Sequence, residues 1–454
     1  MFHKQKEFTL SNETKTCILS KNKESALVNQ CLENIAMTIE DLSEDFQSVY
    51  TLGKLSMKRV IFVDEEAFIK GKLSKQFMEL KEDVLVLVDT FLPENISQLF
   101  ETLTTGSYRF SKFKSKDEEH IENIYYTTSE NVDAAIHEGI VYGEAINHTK
   151  QLVNTPYNYL NAFKLADYAQ TLGDLDNVEV KVYGKKECES MNMGAFLGVN
   201  KGSKDEPQLI HVRYQANSKD KDITALIGKG VMYDTGGYSL KSTTGMPSMK
   251  CDMAGAATVL GAIEIIARLK YPKNVDVVIA ATDNRIGDDA IVPDDILTAA
   301  NGTTIEIIST DAEGRLTLAD ALWFAQREGA NKLIDVATLT GAVVGALGKE
   351  FTGAFTNHQE FLDKILKISE QTKEKIWQLP ITEGYHKDLE SFSADIKNSG
   401  GSRMAGASVA AAFLEKFVEK DIPWIHLDVA GTAFDSKTGG SGVMVKTLAS
   451  VFKP

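Results

Sequence analysis

A chain of 454 residues exceeds what one hydrophobic core ordinarily organises, so two domains are expected. Its 43% hydrophobic and 25% charged residues exclude a disordered or fibrous chain, and no run approaches the roughly 18 apolar residues of a membrane helix. A formal net charge of −15 repels phosphate and argues against a general nucleic-acid partner.

The segment Met1 to Thr9 is charged and lacks the apolar stretch of a secretory leader. Short apolar runs at Lys15–Leu19, Arg59–Val63 and Val84–Val88 then read as strands, with a helix over Glu24–Ile39 between the first two. Residues 1–130 are therefore expected to form a small α/β domain, in which no catalytic constellation is found. Ala134, Ala135, Ile140, Val141, Ala145, Ile146 and Leu152 give Asn131–Asn154 an apolar helical face, and Thr155-Pro156 ends it. This helix, 131–154, is read as a connector.

Beyond it, in 155–454, glycine becomes frequent. Strand-like runs recur at Val178–Tyr183, Leu209–Tyr214, Ile223–Ile227, Val275–Ala281, Thr303–Ile308, Lys332–Ala337 and Trp424–Val429. Helices are expected over Ala254–Leu269, Gly314–Arg327 and Ala405–Val418. That alternation predicts a larger domain with a mostly parallel, helix-covered central sheet, whose reactive site lies at the carboxyl ends of the strands. Cys17, Cys31, Cys188 and Cys251 have no C-x-x-C spacing, which fits a reducing, cytoplasmic setting.

The chemistry concentrates between Leu226 and Leu316. Gly228-Lys229-Gly230 follows a strand, and the glycines are expected to turn the backbone there. Asp234 comes next, then Lys241, then Asp252 at the entrance of an apolar helix. Asp311 and Glu313 follow another strand; in an extended segment, positions i and i+2 aim both carboxylates one way. Taken singly, Asp252 and Asp311 read first as helix caps, and Asp234 as a turn residue. Taken together, four carboxylates in a partly buried place repel one another, and two divalent cations resolve that repulsion. The ligands would be hard oxygens with one lysine amine, which suits manganese or magnesium and also admits zinc.

Competing motifs fail on inspection. Asp234-Thr235-Gly236 matches the aspartic protease triplet, but there is no second copy to share a proton. Gly236 to Ser242 misses a phosphate loop because Leu240 replaces its glycine, and Gly228-x-Gly230 lacks the third glycine of a dinucleotide fingerprint. There is no G-x-S-x-G and no H-E-x-x-H; His137-Glu138 lacks the partner histidine. His426, in an apolar strand, reads as a core residue or one supporting the site rather than a ligand.

These blocks resemble the leucyl aminopeptidases, also called cytosol aminopeptidases (peptidase family M17). The family's N-T-D-A-E-G-R-L stands here as Ser309 to Leu316, with Ser309 in place of asparagine. G-K-G-x-x-(F/Y)-D-(S/T)-G-G-x-x-x-K matches Gly228 to Lys241, and D-M-x-G-A-A matches Asp252 to Ala257. Val336 to Ala342 and His426 to Gly431 are also similar to family segments.

The resemblance implies a two-domain α/β aminopeptidase that removes leucine and other apolar residues from peptide amino termini. It implies two divalent cations, Mn²⁺ or Zn²⁺, with a hydroxide between them as nucleophile. Lys229, Asp234, Asp252 and Glu313 would bind the tighter cation. Asp234, Asp311 and Glu313 would bind the exchangeable one. Lys241 would polarise the scissile carbonyl, and Arg315 would hold a bicarbonate acting as general base. Met249, Thr338, Leu339, Gly341, Ala430 and Ala433 would line the substrate pocket. Family members are hexamers, dimers of trimers, with sites facing an enclosed interior, and the amino-terminal domain serves assembly. The alternatives are a DNA-binding or otherwise non-enzymatic member of the fold, and a dipeptidase.

The chain also departs from the family pattern. E-N-x-P-x-G-x-A-x-x-P-G-D appears as Asp283 to Asp295, its departures including Asp283, Ile286 and Asp294 in place of glutamate, proline and glycine. G-x-T-G-R-P reads Gly439 to Met444.

Overall fold

The computed structural model describes residues 1–5, 16–116, 119–217, 219–400 and 404–454; Lys15 and residues 6–9 of the charged start lie outside them. The chain divides into two compact units, Met1–Asn147 and His148–Pro454. The expected connector helix spans Asp133–Asn154, and the division falls within it.

The first unit is built on a six-stranded sheet. Its order is Phe2–Lys4, Ile124–Thr127, Val84–Leu87, Thr16–Ser20, Arg59–Val63 and Phe46–Tyr50. All neighbours are parallel except the last pair. Such a sheet is buried on both faces at its centre, so Thr16–Ser20, Arg59–Val63 and Val84–Leu87 are almost wholly buried, while the edge strands are partly exposed. Along Thr16–Ser20, Ile18 joins one apolar cluster while Cys17 and Leu19 join the other. The helix expected over Glu24–Ile39 is shorter, Ala26–Ile35. Ser25 caps its start, and Ala36, with φ of 57°, ends it in the left-handed region.

The second unit carries an eight-stranded sheet: β1 (Val178–Tyr183), β2 (Gln208–Tyr214), β3 (Ile223–Asp234), β4 (Asn274–Asn284), β5 (Lys332–Ala337), β6 (Thr352–Thr356), β7 (Ile376–Gln378) and β8 (Trp424–Asp428). The spatial order is β7-β6-β8-β5-β3-β4-β2-β1. The central four, β8, β5, β3 and β4, are parallel, and β6 and β2 flank them antiparallel. Helices α1 (Ala254–Arg268) and α2 (Gly314–Arg327) pack on β3. Both are buried almost throughout, which explains their apolar composition.

The expected turn at Gly228 does not form; β3 runs on to Asp234. Gly228 and Gly230 instead permit close packing. A Cβ on Gly228 would stand 2.6 Å from Ala256 Cα of α1, and one on Gly255 only 2.0 Å from the Val336 carbonyl oxygen of β5. The glycines thus press α1 against the sheet, and Lys229 lies within the strand.

The four cysteines are unpaired and buried. Among the described residues no helix is long and apolar enough to cross a membrane.

Candidate metal centre and active site

The carboxyl ends of the central parallel strands gather the residues singled out in the sequence. Asp234 ends β3, and Asp252 precedes α1 after a short 3₁₀ turn, Met249–Cys251. Glu313 precedes α2, while Thr338 and Leu339 follow β5. The capping reading of the acids fails here: neither α1 nor α2 has a side-chain cap, Met253 and Glu313 occupying the cap positions. The carboxylates turn inward instead. Asp234, Asp252 and Glu313 are all buried, and one oxygen from each lies within 4.8 Å of the others.

Lys229 reaches this cluster along β3. Its Nζ is 2.8 Å from Asp252 Oδ1 and 2.9 Å from Glu313 Oε1, and it donates to the Thr338 carbonyl at 3.0 Å. Gly314 makes room for it: a Cβ there would stand 2.3 Å from Lys229 Cε. Lys241 Nζ lies 2.6 Å from both Asp234 Oδ2 and Asp311 Oδ1. Asp311 is 37% exposed and joins the others through this amine. The segment before Glu313 is a turn rather than a strand, so the i, i+2 argument does not describe how Asp311 and Glu313 are aimed.

Burial and crowding strain the charges. Burial, then the neighbouring Glu313, pushes the Asp234 carboxyl up to about 7. Burial also drives Asp252 well above the carboxylate range. Burial acts the same way on Glu313, but Lys229 and Lys241 outweigh it and hold that carboxyl low. Burial would lower the Lys229 amine; Asp252, Glu313 and Asp234 together raise it instead. Glu313 Oε2 is buried and accepts no hydrogen bond. Three close carboxylates with an unsatisfied oxygen fit a cation, because burying such charge without compensation is unfavourable.

The expected pocket residues lie at the same end of the sheet. Thr338 Oγ1 donates to Asp252 Oδ1 at 2.8 Å. The Leu339 and Ala430 amides donate to Asp428 Oδ1 at 3.1 and 3.2 Å, and Thr340 Oγ1 to Asp428 Oδ2 at 2.7 Å. Gly341 is exposed, and a Cβ there would meet nothing within 4 Å. Met249 is half-buried and Ala433 is buried. Arg315 is buried, with Nη1 donating to the Asn398 carbonyl at 2.7 Å and Nε without a partner. Burial lowers its guanidinium to about 10.

Asn398 escaped the sequence reading. It is fully buried, and Oδ1 accepts from the Ile308 and Ser309 amides at 2.8 and 3.3 Å. Its Nδ2 donates to the Ser309 carbonyl at 2.7 Å. One side chain thus braces the turn bearing Asp311 and Glu313, and the same residue's carbonyl orients Arg315. Its only local signal is an asparagine just after Ile396–Lys397, a strand paired with Thr304–Glu306. His426 is a core residue, with Nδ1 2.6 Å from Asp335 Oδ1.

Residues 147–449 match the catalytic-domain model of the cytosol aminopeptidase family. The chain belongs to that family. It is also similar to a mutant of tomato leucine aminopeptidase, with 28% identity over 99% of this chain and 96% of that one, at a TM-score of 0.86. The molecule is a metallo-aminopeptidase with the family's two-domain α/β architecture.

Proposed function

We propose that this aminopeptidase works with two divalent cations, Mn²⁺ or Zn²⁺, and prefers leucine and other apolar residues at the peptide amino terminus. The convergence of Asp234, Asp252 and Glu313 within 4.8 Å, bracketed by Lys229 and Lys241, carries the reading. Lys229, Asp234, Asp252 and Glu313 would hold the tighter cation. Asp234, Asp311 and Glu313 would hold the exchangeable one. When bound, such cations lower the pKa of water towards neutrality and polarise a carbonyl.

The remaining roles fall to side chains. Lys229 must release a proton to act as a ligand, so cation loading is favoured by rising pH. Lys241 places a fixed positive charge beside Asp234 and Asp311, where the scissile carbonyl oxygen gains negative charge. Arg315, with its unpartnered Nε, would hold a bicarbonate ion, which would supply a general base. Met249, Thr338, Leu339, Gly341, Ala430 and Ala433 would receive the first side chain. Ala433 is small, which would enlarge an apolar pocket and admit bulky first residues. A tenfold advantage in kcat/KM for leucine and methionine over phenylalanine and tyrosine would contradict that enlargement. The family likeness supports a cytoplasmic hexamer in which residues 1–130 serve assembly, 131–154 connect and 155–454 catalyse.

Hydrolysis of leucine-p-nitroanilide by metal-stripped protein, given Mn²⁺ or Zn²⁺, tests the reading. Metal-dependent release that disappears in Glu313→Ala is expected. No release with either metal, across a panel of amino-terminal residues, would overturn it in favour of a non-enzymatic role.

A further inference from the structure

We infer that Asn284 is a positioning residue that ties the two ligand-bearing segments together and selects which oxygen of Asp234 faces the cations. The inference rests on the metal reading above. Asn284 ends β4, alongside Asp234 at the end of β3. It is 2% exposed, and its amide carries two hydrogens. Nδ2 donates to Asp234 Oδ1 and to the Thr310 carbonyl, each at 2.9 Å. One amide nitrogen therefore joins the Asp234 segment to the turn that continues into Asp311 and Glu313.

The bond to Asp234 also has a direction. Oδ1 already accepts from the Gly236 amide at 2.8 Å, so two N–H donors fill its acceptor sites. Oδ2 pairs instead with Lys241 Nζ at 2.6 Å. Asp234 would thus offer Oδ2 as its ligand atom. Supporting partners of this kind tune both ligand orientation and affinity.

Asn284 is itself clamped on both sides. Its carbonyl accepts from the Thr235 amide at 3.0 Å and from Thr235 Oγ1 at 2.8 Å. The next residue, Arg285, donates through Nε to Asp283 Oδ2 at 2.7 Å. Its guanidinium lies 4.1 Å from the ring centre of Tyr157 and 5.2 Å from that of Tyr233. Tyr157 is fixed in turn by a 2.7 Å hydrogen bond to Asp205. Asp283 and Ile286 are two of the positions at which this chain leaves the family pattern. The arginine cage lies between them and supplies rigidity that a proline would otherwise give.

The test is Mn²⁺ titration of metal-stripped wild type, Asn284→Ala and Asn284→Ser by calorimetry, with free Mn²⁺ counted by electron paramagnetic resonance. At least one Mn²⁺ site is expected to weaken by about 10–100-fold in both variants. Activity should climb towards wild type as Mn²⁺ is raised, a rescue that a purely structural defect would not show. Wild-type Mn²⁺ affinity in either folded variant would overturn the role of Asn284. Failure of the wild type itself to bind Mn²⁺ would instead remove the metal reading and this inference with it.

Discussion

Two buried acidic groups stand at opposite ends of the same sheet. Asp276, near the start of β4, is almost fully enclosed. His211 Nε2 lies 3.0 Å from its Oδ2, and Arg213 binds it through Nε at 3.0 Å and Nη2 at 2.7 Å. Burial pushes the Asp276 carboxyl up, but His211 and Arg213 more than compensate and leave it below its ordinary value. At the carboxyl ends of the strands the balance is reversed. Burial leaves Asp234 and Asp252 raised despite Lys229 and Lys241, and Glu313 Oε2 has no donor. The same physics thus separates a cluster whose acid is fully matched by its own neighbours from one whose acids are only partly matched by Lys229 and Lys241. Strongly shifted acids are enriched at functional sites for this reason.

Substitutions can break or sharpen this contrast. The largest effect on catalysis short of ligand removal is expected at Lys241. Lys241→Ala should lower kcat by about 10²–10³, the usual loss for a group that stabilises a developing oxyanion. Steady-state kinetics at saturating metal would check it, and an unchanged kcat would return Lys241 to a purely structural role. Asp276→Ala should behave in the opposite way. It leaves Arg213 and His211 with only the more distant Glu328 carboxylate, at 3.6 and 3.9 Å, and should cost stability at the lower end of about 3–5 kcal/mol, because Arg213 is also 27% exposed. Urea unfolding measures this loss, and cation binding should stay as in the wild type.

The smallest effect concerns pH. Burial would lower the His426 imidazole, but Asp335 and then Asp428 outweigh it and raise it above 6.5. A base whose folded pKa is raised adds stability that is fully present below its unfolded value and is lost as pH rises through the folded value. Each unit of such a shift corresponds to about 1.36 kcal/mol. Stability of the wild type should therefore decline above about pH 6.5 through this group. Asp335→Asn should flatten that decline; an unaltered pH profile in thermal unfolding would rule the linkage out.

The sequence disclosed the site better than its support. Lys229, Asp234, Asp252 and Glu313 stood out only as a group: each charge has a simple local role by itself, but several at element junctions within one stretch do not. Strand placement was also legible where runs were apolar or alternating and bounded, as at Arg59–Val63, Val178–Tyr183 and Lys332–Ala337. Gly228 misled because a glycine that permits close packing looks like one that permits a turn; only the approach of Ala256 distinguishes them. Asn398 was invisible because its partners, Ile308 and Ser309, are distant in sequence and bind it through their backbones. Asp311 joins Asp234 through Lys241, a three-body contact that spacing alone does not encode.

The central claim is that the acids at the strand ends, only partly balanced by Lys229 and Lys241, hold cations. Metal analysis of purified protein after Mn²⁺ loading and gel filtration, beside Glu313→Ala, tests it most directly. At least one Mn²⁺ retained per chain in the wild type, with a lower content in Glu313→Ala and a fold unchanged by circular dichroism, is the predicted result. Equal Mn²⁺ content in the two proteins, or none in either, would contradict it.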